Sequence, residues 1–310
     1  MAGKIATRAA YGKALVEFAE KYPKLMVLDA DLAKATMTKD FAAAYPNRFF
    51  DCGIAENNMT GIAAGMAAAG LKPFSNTFAI FAAGRSYEQV RNSIAYPHLN
   101  VTVVGSHGGI SVGEDGATHQ CTEDFALMRQ LPGMVVLCPC DGNEMRLAVE
   151  ALLNYEGPAY LRLARSATAI FTDEIEGYSF EIGKGVTLAE GSDVTIIATG
   201  IMVGMALKAR ELLAAEGISA RVIDMHTIKP LDEAAVKACI EEIGKIVTVE
   251  DHNILNGLGS AVCELAAEAG KGKVKRIGIL DQFGQSAPYE RLLEMNGVTV
   301  ENIVAQAKAL

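Results

Sequence analysis

Residues 53–59, Gly53-Ile54-Ala55-Glu56-Asn57-Asn58-Met59, decide how this sequence is interpreted. They follow a short apolar strand candidate at residues 48–52 and precede a glycine- and alanine-rich helix predicted over residues 60–69. Glu56 is therefore placed near the amino terminus of a helix, where unpaired amides and the helix dipole favour a carboxylate. Taken alone, such a glutamate would be interpreted as a helix cap, so its meaning depends on the segments that follow.

Three segments downstream give Glu56 a context. They are NTFAIF at residues 76–81, SHG at residues 106–108 and GEDGATHQ at residues 113–120. Together with the Glu56 segment, and in this order, they resemble the pyrimidine-binding domain of transketolase, an enzyme that uses thiamine diphosphate. The resemblance extends from Arg8 to the carboxyl terminus and covers the last two of the three transketolase domains.

The alternation of strand and helix patterns predicts two consecutive units. Short β-branched apolar runs separate helical patterns, which is typical of parallel sheets covered by helices on both faces. The pattern breaks near residues 165–191, where the polar segment TDEIEG stands. We therefore predict an α/β fold of two consecutive three-layer α/β domains with mostly parallel sheets. By resemblance these are a pyrimidine-binding domain at 1–166, a linker at 167–190 and a transketolase C-terminal domain at 191–310.

Composition limits the classes of function. The 310 residues carry a formal net charge of -9, and half of them are hydrophobic. An acidic balance without a basic run argues against nucleic-acid binding, and no apolar run is long enough to predict a membrane span. The six cysteines lack the spacing of a disulfide framework or of a zinc site. We expect reduced thiols and a cytoplasmic protein with no nucleic-acid and no membrane partner.

Two glycines in the second unit suggest a dinucleotide site, but the neighbouring residues depart from the fingerprint of such a site. The segment GLG at residues 257–259 opens a predicted helix, but Val262 stands where the fingerprint has its third glycine, and residues 251–256 separate the motif from its strand. Packing of a tight loop is the favoured interpretation. The segment DMHTIKPLD at residues 224–232 resembles the strand-to-helix turn of the transketolase C-terminal domain, with Asp232 as the predicted N-cap.

The resemblance implies that Glu56 acts on the cofactor. Thiamine diphosphate reacts after its own aminopyrimidine removes a proton from its thiazolium ring, and a neighbouring carboxyl group stabilises the imino tautomer that this requires. By resemblance Glu56 is that catalytic group, and Phe78 and Phe81 are the cofactor-binding rings that sandwich the aminopyrimidine. Transketolases usually have a third aromatic residue, but Gly84 stands at its position, and Tyr87 is a candidate to replace it.

The resemblance also implies a substrate site for a phosphorylated sugar. His107, Asp115 and His119 match residues that line the sugar channel, and the two histidines are expected to be catalytic as well. A phosphate requires cations, for which arginine is well suited. Arg8 and Arg165 match the phosphate-binding arginines. Glycines in the same segments would let the backbone approach the ligand closely.

One part of the expected phosphate and cofactor site departs from the family pattern. Asp31, in the segment DAD at residues 29–31, matches an acid near the cofactor. The serine that usually follows this acid and binds phosphate is absent, because Ala35 stands in its place. The neighbouring Lys34 and Thr36 are candidates to substitute for it.

The sequence lacks the segment that thiamine diphosphate enzymes use to hold the diphosphate. That segment is Gly-Asp-Gly followed by a downstream asparagine, which supplies hard oxygen ligands to a divalent metal. No Gly-Asp-Gly occurs in this chain, so we predict no metal ligands here and expect the Mg²⁺ or Ca²⁺ ligands on a separate polypeptide. The resemblance thus implies the C-terminal subunit of a split transketolase, whose partner is an N-terminal transketolase subunit carrying the diphosphate-binding domain.

The fold family implies that the cofactor lies between two protomers. The expected assembly is a heterotetramer of two partner chains and two of these chains, with two symmetric sites. The small residues of segment 61–70 predict either a close helix contact in that assembly or burial against the chain's own sheet, and the sequence does not choose between them.

The resemblance implies transfer of a two-carbon ketol unit between sugar phosphates, in the pentose phosphate pathway. Three alternatives to this function are considered. The β subunit of 2-oxo-acid dehydrogenases shares the domain pair and the glutamate, but does not typically carry GEDGATHQ. 1-Deoxyxylulose-5-phosphate synthase has a similar loop, but usually an arginine where His107 stands. A non-catalytic scaffold subunit would not need the intact polar set of Glu56, His107, Asp115 and His119.

Overall fold

A computed structural model describes residues 3–310 of the chain; Met1 and Ala2, which the first predicted domain includes, lie outside the described residues. Its framework consists of a seven-stranded sheet, a five-stranded sheet and a two-stranded ribbon. None of the helices in residues 3–310 combines the length and apolarity needed to cross a membrane. All six cysteines are free thiols.

The first unit contains eight strands and seven α-helices. The strands are β1 Lys4–Ala6, β2 Leu25–Asp29, β3 Phe49–Asp51, β4 Lys72–Phe78, β5 Thr102–Ser106, β6 Val135–Leu137, β7 Ala159–Arg162 and β8 Ala167–Ala169. The helices are α1 Thr7–Phe18, α2 Ala33–Thr36, α3 Lys39–Ala44, α4 Glu56–Ala68, α5 Tyr87–Gln89, α6 Asp124–Arg129 and α7 Gly142–Asn154. Two π-helical segments, Ile80–Arg85 and Val90–Ala95, flank α5.

The second unit contains six strands and five α-helices. The strands are β9 Val186–Ala189, β10 Val194–Ala198, β11 Ala220–Asp224, β12 Thr227–Lys229, β13 Lys245–Asn253 and β14 Lys273–Ile279. The helices are α8 Val203–Ala215, α9 Glu233–Glu242, α10 Leu258–Ala269, α11 Tyr289–Met295 and α12 Val300–Lys308.

The large sheet is buried on both faces. Its strand order is β12-β6-β7-β5-β4-β2-β3, and all pairs except β12 with β6 are parallel. Successive residues of one strand enter different apolar clusters: Val103 of β5 packs with α4 and α6, whereas Val104 packs with α1 and α7. Because strand side chains alternate between faces, this assignment requires a helical layer on each side of the sheet. The predicted fold class, two α/β domains with mostly parallel sheets, is confirmed.

Two strands blur the expected border between the domains. β9 lies in the segment predicted to be a linker, yet it pairs antiparallel with β11 and forms the edge of the small sheet β14-β13-β10-β11-β9. β12 follows β11 in the second unit but adds to the edge of the first sheet. The linker span 167–190 therefore contains regular structure, including β8, which pairs with β1. The limits 1–166 and 191–310 stay a prediction.

Helix ends follow local side-chain chemistry. The glycine- and alanine-rich helix begins at Glu56, four residues before the predicted start at Thr60. Asp232 caps α9 as predicted, since its carboxylate accepts a hydrogen bond from the Ala235 amide at 3.0 Å. The amino terminus of α10 is capped from a distance: Glu250 of β13 accepts bonds from the amides of Leu258 and Gly259, both at 2.8 Å.

Glu250 couples the stability of the second unit to pH. It is completely buried, and burial raises its pKa to about 7 although the two α10 amides and nearby arginines oppose the shift. The native chain therefore holds a proton that the unfolded chain releases above its ordinary pKa of about 4.3. This contribution to stability is fully present below that ordinary value and is lost as the pH rises to about 7.

We predict that Glu250→Gln removes this pH dependence. Relative to the wild type, the Gln variant should gain about 3 kcal/mol in unfolding free energy between pH 4.5 and pH 8, because it has no proton to lose. Urea unfolding of both proteins at several pH values measures the difference. Glu268→Gln, an exposed change on α10, is the matched control. A wild-type-minus-variant difference that stays constant with pH would refute the prediction.

Candidate active site

The predicted site residues follow the carboxyl ends of neighbouring parallel strands. Asp31 follows β2, the Glu56 segment follows β3, Phe78 ends β4, and His107 follows β5. Strands β3, β2, β4 and β5 are adjacent in this order, so their carboxyl ends meet at one edge of the sheet. Ligands bind at this edge in open α/β sheets. The fold therefore gathers residues that are distant in sequence.

Glu56 is buried at the first turn of α4. Its side chain is 2 % exposed, and both carboxylate oxygens accept hydrogen bonds from Nη1 of Arg85 at 2.8 Å. Arg85 keeps 46 % of its side chain exposed. The position at a helix amino terminus favours the negative charge, and the arginine compensates it. Arg85 can leave without rearrangement of the core because much of it faces solvent.

Phe78 and Phe81 form the apolar wall beside Glu56. Their rings are nearly parallel, with an interplanar angle of 10° and centroids 6.0 Å apart. A planar ring between them would need about 7 Å, twice the contact distance of carbon atoms. The implied sandwich is therefore not preformed, and the rings contact each other. The guanidinium of Arg85 lies over Phe81, with 4.3 Å from its Cζ to the ring centroid. Tyr87, the candidate for the third aromatic residue, accepts a hydrogen bond at its hydroxyl from the Gln130 side chain.

The two histidines complete this aromatic cluster. His107 packs on Phe78 with centroids 4.2 Å apart, and His119 meets Phe78 and Phe81 edge-on at 6.1 and 5.7 Å. Burial, together with the charges of Arg8 and others nearby, lowers the pKa of His107 to about 3. His107 is therefore neutral at physiological pH. Because its Nε2 faces the donor Nη1 of Arg8 at 3.4 Å, the ring proton belongs on Nδ1.

Arg8 and Arg165 place positive charge beside the histidines. Burial and then the charge of Arg165 lower the pKa of Arg8. Arg8 donates to the carbonyl of Ala35 at 2.8 Å, and Arg165 donates to the carbonyl of Val112. Arg165 also pairs with Glu114, whose carboxylate lies 3.3 Å from its Nη1, so two guanidinium groups and one carboxylate leave a net positive charge here. This part of the site is suited to a phosphate or a similar group.

The residues around Ala35 leave no hydroxyl for that anion. Thr36, a candidate to replace the expected serine, is buried and donates its hydroxyl to Oδ2 of Asp29 at 2.6 Å. Burial raises the pKa of Asp29 to about 6, although Thr36 and Thr38 oppose the shift. Thr36 is therefore engaged in holding the turn after β2. Thr36 is thus occupied within the chain, whereas Lys34 is exposed and stays a candidate to replace the serine.

Asp31 and Asp115 lie at the rim. Both are exposed, and among the described side chains neither forms a hydrogen bond with the histidine and phenylalanine cluster. The backbone of Asp31 is in the left-handed region, with φ of 61°, and its amide donates to Oδ1 of Asp51 at 3.0 Å. The same oxygen accepts from the Gly53 amide at 2.9 Å. Asp51 thereby ties the Asp31 turn to the segment that leads into Glu56.

Two contributors were missed by sequence reasoning. Arg85 directly follows Gly84, the position where an aromatic residue was expected, and this departure was the available signal. Asp51 was assigned to a strand. The pattern of apolar residues in that strand does not indicate that the Asp51 carboxylate accepts hydrogen bonds from two turns.

The predicted site residues do not form the cleft that α6 and α10 enclose. A cleft of about 720 Å³ lies between α6 and α10 and includes none of the predicted site residues. Glu56, Phe81 and His119 instead lie at a face of the first unit that also carries Ile54, whose side chain is 76 % exposed. A single exposed apolar side chain is common on protein surfaces and does not by itself identify an interface.

Comparisons with known proteins identify both units. The transketolase pyrimidine-binding domain model matches residues 3–169, and the transketolase C-terminal domain model matches residues 183–303. A Methanocaldococcus jannaschii protein provisionally named a transketolase C-terminal section is 48 % identical over 96 % of this chain and 93 % of its own length. The 6-deoxy-6-sulfo-D-fructose transketolase subunit SqwH of a Clostridium species is 43 % identical, over 97 % of this chain and 92 % of that one.

Similarity extends to longer enzymes and to a solved structure. 1-Deoxy-D-xylulose-5-phosphate synthase of Heliobacterium modesticaldum is 38 % identical over 97 % of this chain, which matches 46 % of that enzyme. A split-gene transketolase, described as an inactive β4 tetramer, superposes with a TM-score of 0.91 at 49 % identity and 98 % coverage of both chains. This chain therefore belongs to the transketolase family and corresponds to its pyrimidine-binding and C-terminal domains.

Proposed function

We propose that this chain is the C-terminal subunit of a split transketolase, which transfers a two-carbon ketol unit between sugar phosphates together with an N-terminal subunit. The observation that supports it most is the arrangement of Glu56, Phe78, Phe81 and the two histidines at one edge of the first sheet. The sequence lacks the Gly-Asp-Gly segment for the diphosphate. Half of a cofactor site is thus present, and the other half belongs to a partner.

The residues fit the aminopyrimidine half of thiamine diphosphate, on which enzymes of this family depend. When bound, the cofactor supplies the nucleophilic carbon that carries the two-carbon unit. Glu56 holds a proton at the pyrimidine nitrogen, and burial keeps water away from that proton. Phe78 and Phe81 offer ring faces for stacking. Because Arg85 pairs with Glu56 and covers Phe81, its side chain would have to move away before these two residues could contact a pyrimidine.

The remaining polar residues act on the sugar phosphate. Arg8 and Arg165 bind its phosphate, and neutral His107 accepts or donates hydrogen bonds without adding charge. His119 faces the same aromatic wall and is placed to act on a sugar hydroxyl, while Asp115 and Asp31 contact the substrate and the cofactor from the rim. The proposed assembly is a cytoplasmic heterotetramer of two plus two chains, with Mg²⁺ or Ca²⁺ held by the N-terminal subunit, acting in the pentose phosphate pathway.

A sulfonated sugar is a second candidate substrate. A relative of nearly the same length is named for a 6-deoxy-6-sulfo-D-fructose substrate. A sulfonate carries one negative charge and accepts hydrogen bonds but donates none. The Arg8 and Arg165 pair can bind it, and the missing serine hydroxyl at Ala35 leaves fewer donors than the family pattern supplies for a phosphate.

We predict that the purified chain alone does not transfer ketol units. Given thiamine diphosphate, Mg²⁺ and a pair of pentose phosphates, it should show no turnover, because it lacks the Gly-Asp-Gly segment that would hold the metal and the diphosphate. Addition of a partner chain that contains Gly-Asp-Gly and a downstream asparagine should restore turnover, with the partner alone as control. Robust activity of the isolated chain would contradict the split-enzyme proposal.

A second prediction concerns Glu56. In the reconstituted complex, Glu56→Gln should slow hydrogen–deuterium exchange at the reactive carbon of the bound cofactor by about 10² or more, since a proton-sharing group is lost. Glu88→Gln, an exposed change on α5, is the control and should exchange at the wild-type rate. If the Glu56 variant also exchanges at that rate, Glu56 is only the first residue of a helix.

Helix α4 presents small residues to solvent on one side. Gly61, Gly65 and Ala68 are exposed, whereas Ala63 and Ala64 pack into the core of the first unit. Burial against the chain's own core is therefore observed for part of this helix, whereas the interface alternative stays a prediction for its exposed side. A Cβ built at either exposed glycine would meet no atom within 4 Å. The exposed side can thus admit the backbone of another helix at close range.

We predict that Gly65→Leu prevents assembly while the chain stays folded. The leucine has free space in the isolated chain but would block a close helix contact in the complex. Size-exclusion chromatography of the mixed subunits measures assembly, and circular dichroism reports folding. Ala214→Leu, on the exposed side of α8, is the matched control. Normal assembly of the Gly65 variant would rule out α4 as an interface helix.

A further inference from the structure

The loop that carries two of the proposed substrate residues has little structure of its own. We call residues 109–121 the sugar loop; it contains Asp115 and His119. Its ends are joined by the bond from the Gly109 amide to the Cys121 carbonyl at 2.7 Å. Between them the only regular element is one short 3-10 turn. Such a loop has many accessible conformations unless other segments restrain it.

The base of the sugar loop is held by strand β13 of the second unit. Oδ1 of Asp251, which is buried, accepts a hydrogen bond from the Ile110 amide at 2.9 Å. Two residues further along β13, the Asn253 amide donates to the Thr122 carbonyl at 2.8 Å, just beyond the loop. Gly109 is required for this contact, because a Cβ there would lie 2.2 Å from Cγ of Asp251.

The tip of the sugar loop is held by a second segment of the same unit. We call residues 280–288, between β14 and α11, the strap. Its Ser286 hydroxyl donates to the Glu114 carbonyl at 2.6 Å, and Nε2 of Gln120 donates to the Gln285 carbonyl at 2.8 Å. A Cβ at Gly284 would lie 1.5 Å from Oε1 of Gln120. Strap and loop are therefore in close contact beside Asp115.

We propose that the second unit positions the sugar loop for substrate, through Asp251 at the base and Ser286 with the strap at the tip. This inference rests on the proposed function for its kinetic consequence, but not for its structural one. A loop ordered in advance binds its ligand without the entropy cost of ordering. Removal of the strap contacts should therefore weaken sugar binding. Cofactor activation at Glu56 should persist, because Glu56 lies on a different segment.

The structural consequence can be tested on the isolated chain by hydrogen–deuterium exchange. Ser286→Ala removes one bond to the loop tip, and Gly284→Ala pushes the side chain of Gln120 away from the strap. Each should raise amide exchange in peptides covering 109–121, by roughly five-fold for a single lost hydrogen bond. Ser286→Thr keeps the hydroxyl and should retain wild-type protection. Ser219→Ala, outside the loop and strap, is the matched control.

The kinetic consequence is tested in the complex with the N-terminal partner. Ser286→Ala and Gly284→Ala should raise KM for the acceptor sugar phosphate several-fold with a smaller change in kcat, and Ser286→Thr should restore the wild-type KM. Exchange at the reactive carbon of the cofactor should be unchanged, which a general loss of structure would not allow.

The possible outcomes separate this inference from the proposed function. Unchanged loop exchange in both variants overturns the positioning role whatever the enzyme does. Increased loop exchange with an unchanged KM overturns its link to substrate binding. If the wild-type complex transfers no ketol units, the proposed function fails, while the exchange measurement still decides whether the second unit restrains the loop.

Discussion

A buried ion pair at the centre of the molecule connects the parts on which the site depends. Arg162 at the end of β7 lies 3.1 Å from the carboxylate of Asp124, with both side chains at most 5 % exposed. The same guanidinium donates to the carbonyls of Cys121 and Asp251. Removing one partner would leave a buried charge uncompensated, which is strongly destabilising. Helix α6, the end of the sugar loop and strand β13 of the second unit are thus fixed to one charged group.

This arrangement explains the glycine that directly follows His107. A Cβ at Gly108 would lie 1.9 Å from Nε of Arg162, so the chain passes directly over the ion pair. The backbone of His107, which directly precedes Gly108, is in the left-handed region, with φ of 62°. Strained backbone at non-glycine residues is often found at functional sites. The position of the His107 ring against Phe78 therefore depends on the close approach of Gly108 to Arg162, which also binds Asp251 of the second unit.

Much of the fold could be predicted from sequence because it depends on local patterns. The apolar β-branched runs predicted the parallel strands between helices, and Asp232 was identified as a cap from its position before a helix. β12 was missed, since three residues that cross to the other sheet carry no periodic signal. At the site, the motif segments predict roles for Glu56 and the histidines, and these roles stay predictions. The stacked Phe78 and Phe81 rings and the role of Arg85 depend on side-chain geometry, which no spacing encodes.

The contact of Arg85 with Glu56 has a consequence for how tightly a cofactor can be held. In the free chain the guanidinium is a flat cation that lies on Phe81 and satisfies the carboxylate, so the site is never an empty acidic pocket. Ligand binding is then an exchange of one planar, hydrogen-bonding group for another. The measured affinity for the ligand is then the difference between the free energy of its own contacts and that of the Arg85 contacts it replaces. In the proposed assembly, a subunit made before its partner can thus keep Glu56 paired with Arg85, and the free energy of that pair is subtracted from the affinity of the assembled enzyme for its cofactor.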